Sequence, residues 1–172
     1  VECEGMAFGV DPKVVESVTK AVRKVTDKPV IVKLSPNVTD IVEIAKAVEA
    51  GGGNGVSLIN TLLGMAIDIH RRKPVLGNTY GGLSGPAVKP VALRMVHQVY
   101  KGVTIPIIGL GGIMTGTDAI EFMMAGAQAV QVGTATMVDP TAISRIAREM
   151  SEYVEQYNLN SITDIVGAVH QV

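Results

Sequence analysis

Residues 105–113 constrain the fold of this chain more than any other stretch. They read IPIIGLGGI, a short apolar strand that runs directly into a glycine turn. Ile107, Ile108 and Leu110 are typical of a strand buried on both faces, as in a parallel sheet. The residues that follow predict a helix start with Thr115 or Asp118 as its N-cap. The stretch is therefore interpreted as one strand–turn–helix unit.

The turn in this unit contains two successive glycines, Gly111 and Gly112. Without a Cβ, the backbone can turn sharply there and its N–H groups can approach a ligand closely. Such N–H groups before a helix N-terminus suit a phosphate, although a lone glycine pair can equally form a tight turn with no ligand. A second unit favours the phosphate, because another short strand ends at Gly133 and Thr134. Two such units match the phosphate site after the last two strands of a TIM barrel, so we expect these four residues to bind one phosphate.

The rest of the chain repeats the alternation of strand and helix. Helices are predicted over residues 12–26, 39–50, 89–100, 118–125 and 139–156, with a short one over 161–169, and strands over 30–34, 55–59, 105–110 and 126–133. A long connection over residues 62–86 carries a basic cluster and a predicted small hairpin around 71–73. A connection of this length in a compact domain is usually functional.

One helix followed by four strand–helix units indicates a parallel α/β fold. A closed (β/α)8 barrel needs eight strands and about 250 residues, whereas this chain of 172 residues supplies four strands. The alternatives are one half of a barrel and a small open sheet. The chain enters at Val1 without a start, cap or strand signal, which favours the C-terminal half of a (β/α)8 TIM barrel. We therefore expect one partial domain over residues 1–172, with the N-terminal half of the barrel absent.

The composition excludes several functional classes. With 15 basic and 16 acidic residues, the chain has no electrostatic preference for nucleic acid or an anionic membrane. No apolar run approaches the roughly 20 residues that a membrane span needs. A single cysteine, Cys3, excludes an internal disulfide and is consistent with the cytoplasm. His70, His97 and His170 lack metal-ligand spacing, so we expect surface or packing roles for them and no metal site.

Polar residues stand at the ends of the first two predicted strands, where parallel α/β folds carry their chemistry. Lys33 lies near the end of an otherwise apolar strand, and a buried lysine is rare unless it is paired or functional. It is interpreted either as part of a salt bridge at the rim or as a cation facing an anionic or electron-rich ligand. Asn60 follows the second strand, where its amide suits an amide or imide edge of a ligand or caps a turn. The chain contains no complete nucleophile–base pair.

Four motifs, in chain order, closely resemble the dihydroorotate dehydrogenase family. They are VKLSPNVTD at 32–40, INTL at 59–62, GGLSGPAVKPVAL at 81–93 and GLGG at 109–112. The best match is the class 1 B-type, the catalytic subunit that couples to NAD. This resemblance runs through the whole chain. It implies a TIM barrel that holds FMN and oxidises dihydroorotate to orotate in de novo pyrimidine biosynthesis.

The resemblance assigns roles to particular residues. Lys33 and Gly85 would contact the flavin, and Ile59 would lie against it. Asn60 and Thr61 would bind the pyrimidine substrate. The FMN phosphate would fall on the two glycine turns, that is, on Gly111, Gly112, Gly133 and Thr134. The resemblance also implies an electron-transfer partner subunit with FAD and an iron–sulfur cluster, and a homodimer within a heterotetramer.

One catalytic residue of the family falls outside this sequence. The proton-abstracting cysteine of the family lies in an Asn-x-Ser-Cys-Pro-Asn motif that would end just before Val1. Cys3 lies beyond that motif and is not the catalytic residue, so we expect the chain to be inactive alone. Two alternatives stay open. One is the related dihydropyrimidine dehydrogenase, which shares the motif type at 36–40 but fits residues 82–85 less well, and the other is a non-catalytic phosphate-binding half-barrel.

Overall fold

A computed structural model describes residues 8–170 as a parallel α/β fold with two small antiparallel strand pairs. The helices and strands are α1 (Pro12–Arg23), β1 (Ile31–Leu34), α2 (Ile41–Ala50), β2 (Gly55–Leu58), β3 (Leu62–Gly64), β4 (Ile67–Asp68), β5 (Lys73–Pro74), β6 (Gly81–Leu83), α3 (Lys89–Tyr100), β7 (Ile107–Leu110), α4 (Gly116–Met124), β8 (Ala129–Gln131), α5 (Thr134–Val138) and α6 (Ala142–Gln156). The four strands predicted from the sequence form one parallel sheet in the order β1–β2–β7–β8. The predicted parallel α/β class is therefore confirmed.

Local sequence determines where several helices begin. The side chain of Asp11 accepts the N–H groups of the first turn of α1, which has Pro12 at its first position. Asp40 caps α2 in the same way. Thr115 and Asp118 form a reciprocal capping box at the start of α4. The N-cap predicted at Thr115 is confirmed.

The two faces of the parallel sheet differ in burial. The helices pack on one face, where Leu34 and Leu58 lie side by side and are both buried. Lys33 points to the other face and is exposed, and Ile108 and Leu110 are only half-buried. The predicted burial of the strand at 105–110 on both faces is therefore wrong, as is the buried position expected for Lys33. Among residues 8–170, Ile31, Lys33, Ala129 and Gln131 on this face are exposed, so the elements packed against it leave it partly open to solvent.

The long connection between β2 and α3 folds into two antiparallel pairs. β3 pairs with β6, with Leu62 opposite Leu83, so the two ends of the connection are held together. β4 pairs with β5, and Arg71 and Arg72 lie in the turn between them. The small hairpin predicted around residues 71–73 is therefore confirmed. The basic residues at its tip are exposed.

Two helix predictions near the C-terminal end need correction. The five-residue helix α5 was not predicted, and the helix expected from residue 139 begins only at Ala142. The helix expected over 161–169 is instead two 3-10 turns, Ile162–Ile165 and Ala168–His170. The chain changes direction between them because Gly167 has a φ of +73° and packs against the ring of Tyr100 with no room for a side chain.

The histidines have the packing and surface roles expected of them. The ring of His170 stacks on that of His97 with centroids 4.1 Å apart and on that of Tyr100 at 4.7 Å. These contacts attach the last 3-10 turn to α3. His70 is exposed in the hairpin of the long connection. Across residues 8–170, no helix combines the length and the apolar character that crossing a membrane requires.

Candidate functional site

A cavity of about 260 Å³ opens at the carboxyl ends of the four parallel strands. Its lining comes from five segments of the chain: the end of β1, the exit of β2, the loop before α3, the glycine turn after β7 and the exit of β8. The lining includes every residue that sequence analysis singled out, namely Lys33, Ile59, Asn60, Thr61, Gly85, Gly111, Gly112, Gly133 and Thr134. The fold thus brings these residues together from positions up to about a hundred residues apart in the chain.

The first glycine turn, at Gly111 and Gly112, is tightly packed. Their φ values are +125° and +80°, in the region that favours glycine. A Cβ on Gly112 would lie 2.8 Å from both the carbonyl oxygen of Gly85 and the backbone nitrogen of Lys89. A Cβ on Gly111 would lie 2.9 Å from the Cβ of Ala92. Glycine is therefore required at both positions by the packing of the chain itself.

The backbone donors of this turn are unpaired within the described part of the chain. Among residues 8–170, no acceptor takes the N–H groups of Gly111, Gly112 and Ile113. Successive N–H groups in a tight turn form a concave site with a positive potential that suits an anion. The turn can therefore provide several donors to one phosphate.

Three N–H groups at the start of α4 are paired within the chain. Asp118 Oδ2 accepts the N–H groups of Met114 and Thr115, both at 2.9 Å. The carboxylate of Glu149, on α6, accepts the N–H of Gly116. These three N–H groups are therefore already paired, whereas those of Gly111, Gly112 and Ile113 in the glycine turn have no acceptor among residues 8–170.

The second glycine turn, at Gly133 and Thr134, is open. A Cβ on Gly133 would meet no atom within 4 Å. Thr134 Oγ1 donates a hydrogen bond to Ser84 Oγ at 2.9 Å, which connects this turn to the long connection. Ser84 also lines the cavity, although sequence analysis did not select it as a site residue. Its position inside the motif at 81–93 was the available signal.

Ion pairs surround the outer side of the first turn. Lys89 Nζ lies 2.6 Å from Asp118 Oδ1 and 2.7 Å from Glu121 Oε2. Hydrogen bonds to these two carboxylates raise the pKa of Lys89. Burial alone would raise the pKa of Asp118, but hydrogen bonds from Lys89 and from the backbone of Met114 and Thr115 outweigh it and lower that pKa. Lys89 and Asp118 are therefore both charged at neutral pH.

Lys33, Asn60 and Thr61 are shared with an adjoining cavity of about 330 Å³. Within the described residues, no carboxylate lies within 4.0 Å of the Lys33 ammonium, so the rim salt bridge considered from the sequence is not formed there. The cation is therefore available to a ligand. Cys3, which sequence analysis distinguished from the catalytic cysteine of the family, lies outside the described residues.

Asn37 fixes the segment that carries Asn60 and Thr61. Its Nδ2 donates to the carbonyl oxygen of Thr61 at 3.1 Å, and its Oδ1 accepts the N–H of Leu63 at 3.0 Å. Sequence analysis did not select Asn37 as a site residue, although it belongs to the motif at 32–40. These long-range contacts connect the exit of β1 to the exit of β2.

A sequence profile described as "Dihydroorotate dehydrogenase" matches residues 2–154 of the chain. The chain belongs to the dihydroorotate dehydrogenase family. It is 60% identical over 169 residues to the "Dihydroorotate dehydrogenase B (NAD(+)), catalytic subunit" of Alkaliphilus metalliredigens, covering 98% of this chain and 56% of that protein. It is 64% identical over 166 residues to the protein of the same name from Desulforamulus reducens, covering 96% and 55% of the two chains.

A third relative with this name, from Geobacter metallireducens, is 61% identical over 165 residues, which cover 96% of this chain and 54% of that protein. The family resemblance predicted from the four motifs is therefore confirmed. The chain spans slightly more than half the length of the curated relatives that it matches.

Proposed function

We propose that this chain supplies the C-terminal half of a (β/α)8 barrel in an FMN-dependent enzyme that oxidises dihydroorotate to orotate in de novo pyrimidine biosynthesis. On this proposal, residues 1–172 form a partial FMN-binding domain. The observation that carries the proposal is the single cavity lined by all nine residues that sequence analysis had selected as site residues. The names of the dihydroorotate dehydrogenase B relatives support the same activity.

The two glycine turns fit the phosphate of FMN. The first turn offers the N–H groups of Gly111, Gly112 and Ile113, which have no acceptor among residues 8–170. The second turn, at Gly133 and Thr134, leaves the space beside the glycine open. A group bearing two negative charges and several acceptor oxygens suits such a site. These residues would hold the phosphate end of the cofactor.

The other cavity residues fit the flavin ring and the substrate. When bound, FMN would supply the hydride acceptor for the oxidation. Ile59 and Gly85 both line the cavity, where the side chain of Ile59 offers an apolar surface to a flat ring system. The ammonium of Lys33 would favour an electron-rich form of that ring by charge attraction. Asn60 and Thr61 would orient the pyrimidine through amide and hydroxyl hydrogen bonds.

The proposal includes partners outside this chain. The names of the relatives describe a catalytic subunit, which supports a separate electron-transfer subunit. That subunit would carry FAD and an iron–sulfur cluster, and two catalytic subunits would form a homodimer within a heterotetramer in the cytoplasm. The proton-abstracting cysteine would be supplied by the part of the barrel that precedes this chain.

The proposal is tested with the complete enzyme that carries this chain, purified as such, and with its Lys33→Met variant. Lys46→Met is the matched control, because Lys46 is exposed on α2 and lies outside the cavity. We expect bound flavin in the absorbance spectrum and formation of orotate from dihydroorotate with an artificial electron acceptor. Lys33→Met should lower kcat about a hundredfold through lost electrostatic stabilisation, and Lys46→Met should not change it.

Other outcomes would identify the alternatives. Oxidation of dihydrouracil in preference to dihydroorotate would indicate a dihydropyrimidine dehydrogenase. Binding of FMN by the complete protein without oxidation of either substrate would indicate a non-catalytic phosphate-binding barrel. Absence of flavin from the purified complete protein, with no uptake of added FMN, would contradict the proposal as a whole.

A further inference from the structure

Arg145, on α6, contacts the chain just beyond both glycine turns. Its Nη2 donates a hydrogen bond to the carbonyl oxygen of Met114 at 3.1 Å, and Met114 lies two residues after Gly112 of the first turn. Its Nε lies 3.5 Å from Asp139 Oδ2. Asp139 ends the short helix α5, which begins at Thr134 in the second turn. One guanidinium therefore joins the two segments that form the candidate phosphate site.

Glu149, one helical turn further along α6, strengthens this connection. Arg145 Nη1 donates to Glu149 Oε1 at 3.0 Å, while the other carboxylate oxygen accepts the N–H of Gly116. Gly116 lies so close to Glu149 that no side chain would fit between them. The hydrogen bond from Gly116, followed by that from Arg145, lowers the pKa of Glu149, which keeps this carboxylate charged at neutral pH. The end of the first turn is thus attached to α6 at two points.

We propose that Arg145 is a positioning residue that sets the spacing between the two glycine turns, so that their backbone donors converge on one phosphate. This inference rests on the proposed FMN site. Arg145 does not line the cavity and would act through its contacts with Met114, Asp139 and Glu149. A guanidinium carries five N–H donors in a fixed planar arrangement, which allows one side chain to serve three partners at once. The compact ammonium of lysine does not reproduce that geometry.

The proposal predicts different effects on the binding of the phosphate and of the flavin ring. Loss of the Arg145 contacts should loosen the spacing of the turns and weaken binding of the phosphate. It should leave the apolar wall at Ile59 in place, because that wall has no contact with α6 through Arg145. FMN and riboflavin differ only in the phosphate, so their affinities report the two effects separately.

The experiment measures dissociation constants of FMN and riboflavin by fluorescence for the complete enzyme freed of flavin. We expect Arg145→Gln and Arg145→Lys to raise the dissociation constant of FMN about tenfold, as for loss of a charge-assisted hydrogen bond, with riboflavin changed less than about twofold. Arg148→Gln is the control, because Arg148 is exposed on the same helix and pairs with Glu152 at 3.8 Å. It should change neither constant.

Asp139→Asn provides a second, milder variant. Asparagine retains a side-chain oxygen that can accept the N–H of Thr141, whose nitrogen lies 2.9 Å from Asp139 Oδ1. It removes the negative charge that pairs with Arg145. It should weaken FMN binding in the same direction while riboflavin binding is retained, and it decides the question if Arg145→Gln does not fold. The inference is overturned if both flavins lose affinity equally, or if FMN affinity is unchanged in folded Asp139→Asn and Arg145→Lys. Equal affinity of the unmodified enzyme for FMN and riboflavin would instead overturn the phosphate site itself, and this inference with it.

Discussion

The two glycine turns at the mouth of the cavity contain glycine for different physical reasons. At Gly112, a side chain would collide with the backbone of Gly85 and of Lys89, and the φ of +80° is itself unfavourable for other residues. At Gly133, a Cβ would meet nothing within 4 Å. The first glycine is therefore required by the folded chain. No described residue fills the space beside the second glycine, so our hypothesis is that the proposed phosphate ligand accounts for its small size.

The comparison suggests that glycine serves the stability of the fold in the first turn and ligand binding in the second, although both turns follow a parallel strand. A turn held by its own packing keeps its shape without a ligand and can present its donors in advance. An open turn instead leaves room for the ligand to approach the backbone closely. The four predictions below test this division, and they run from the largest expected effect to the smallest.

The largest effect is expected for Gly112→Ala. We expect the free energy of unfolding to fall by about 3 kcal/mol, from the left-handed backbone conformation and from overpacking against two backbone atoms. Urea denaturation of the complete protein measures it. Gly77→Ala is the control, because a Cβ on Gly77 meets no atom within 4 Å. Equal stability of the two variants would show that the first turn is not held by its packing.

Gly133→Ala should separate binding from stability. The free energy of unfolding should fall by no more than about 1 kcal/mol, since the residue only precedes a short helix. The dissociation constant of FMN should rise about tenfold because the methyl group occupies space beside the phosphate. Flavin fluorescence titration measures the second quantity. If the variant binds FMN as tightly as the unmodified protein does, the hypothesis that a ligand requires glycine at position 133 is wrong.

Thr134→Val tests the contact between the second turn and the long connection. The substitution keeps the side-chain shape and removes the hydrogen bond to Ser84. We expect a loss of about 1 kcal/mol in the free energy of unfolding. Comparison with Ser84→Ala and with the double variant gives the coupling between the two residues. If the two losses simply add, the hydrogen bond does not stabilise the turn.

The smallest effect concerns pH and the ion pairs behind the first turn. The pKa of Asp118 is lowered in the folded state, because hydrogen bonds from Lys89 and the backbone outweigh the effect of burial. Its contribution to stability is therefore complete above the unfolded pKa of about 4 and is lost as the pH falls through the lower folded value. Urea denaturation between pH 7 and pH 3 should show this loss. Asp118→Asn should make the loss of stability between pH 7 and pH 3 smaller, by less than about 1 kcal/mol. The control Asp27→Asn, at an exposed position, should leave that loss unchanged.

The sequence predicted features that depend on local chemistry. The cap at Thr115 needs only a side chain that lies three residues from the N–H group it accepts, so it could be predicted from the sequence. The parallel sheet followed from the rule that alternating strand–helix units build parallel sheets. The grouping of the site residues followed from their common position at strand ends.

Features that depend on distant residues were not predicted. The N–H of Gly116 is paired by Glu149, 33 residues later, a contact that the sequence around α4 does not reveal. The exposure of Lys33 depends on which elements cover its face of the sheet, which a strand pattern does not reveal. The helix α5 has five residues, too few to show a helical period. The turn at Gly167 is determined by its contact with Tyr100, far away in sequence.

The pairing of β3 with β6 has a practical consequence for engineering this protein. Leu62 lies opposite Leu83, so the strand pair fixes the positions of the neighbouring cavity residues Thr61 and Ser84. These positions do not depend on the length of the segment between β3 and β6. Doubling the length of a flexible loop adds only about 0.6 kcal/mol to its closure cost. A peptide tag or a fluorescent label inserted at the exposed Gly77 and Asn78 should therefore report on the protein without moving the walls of the cavity.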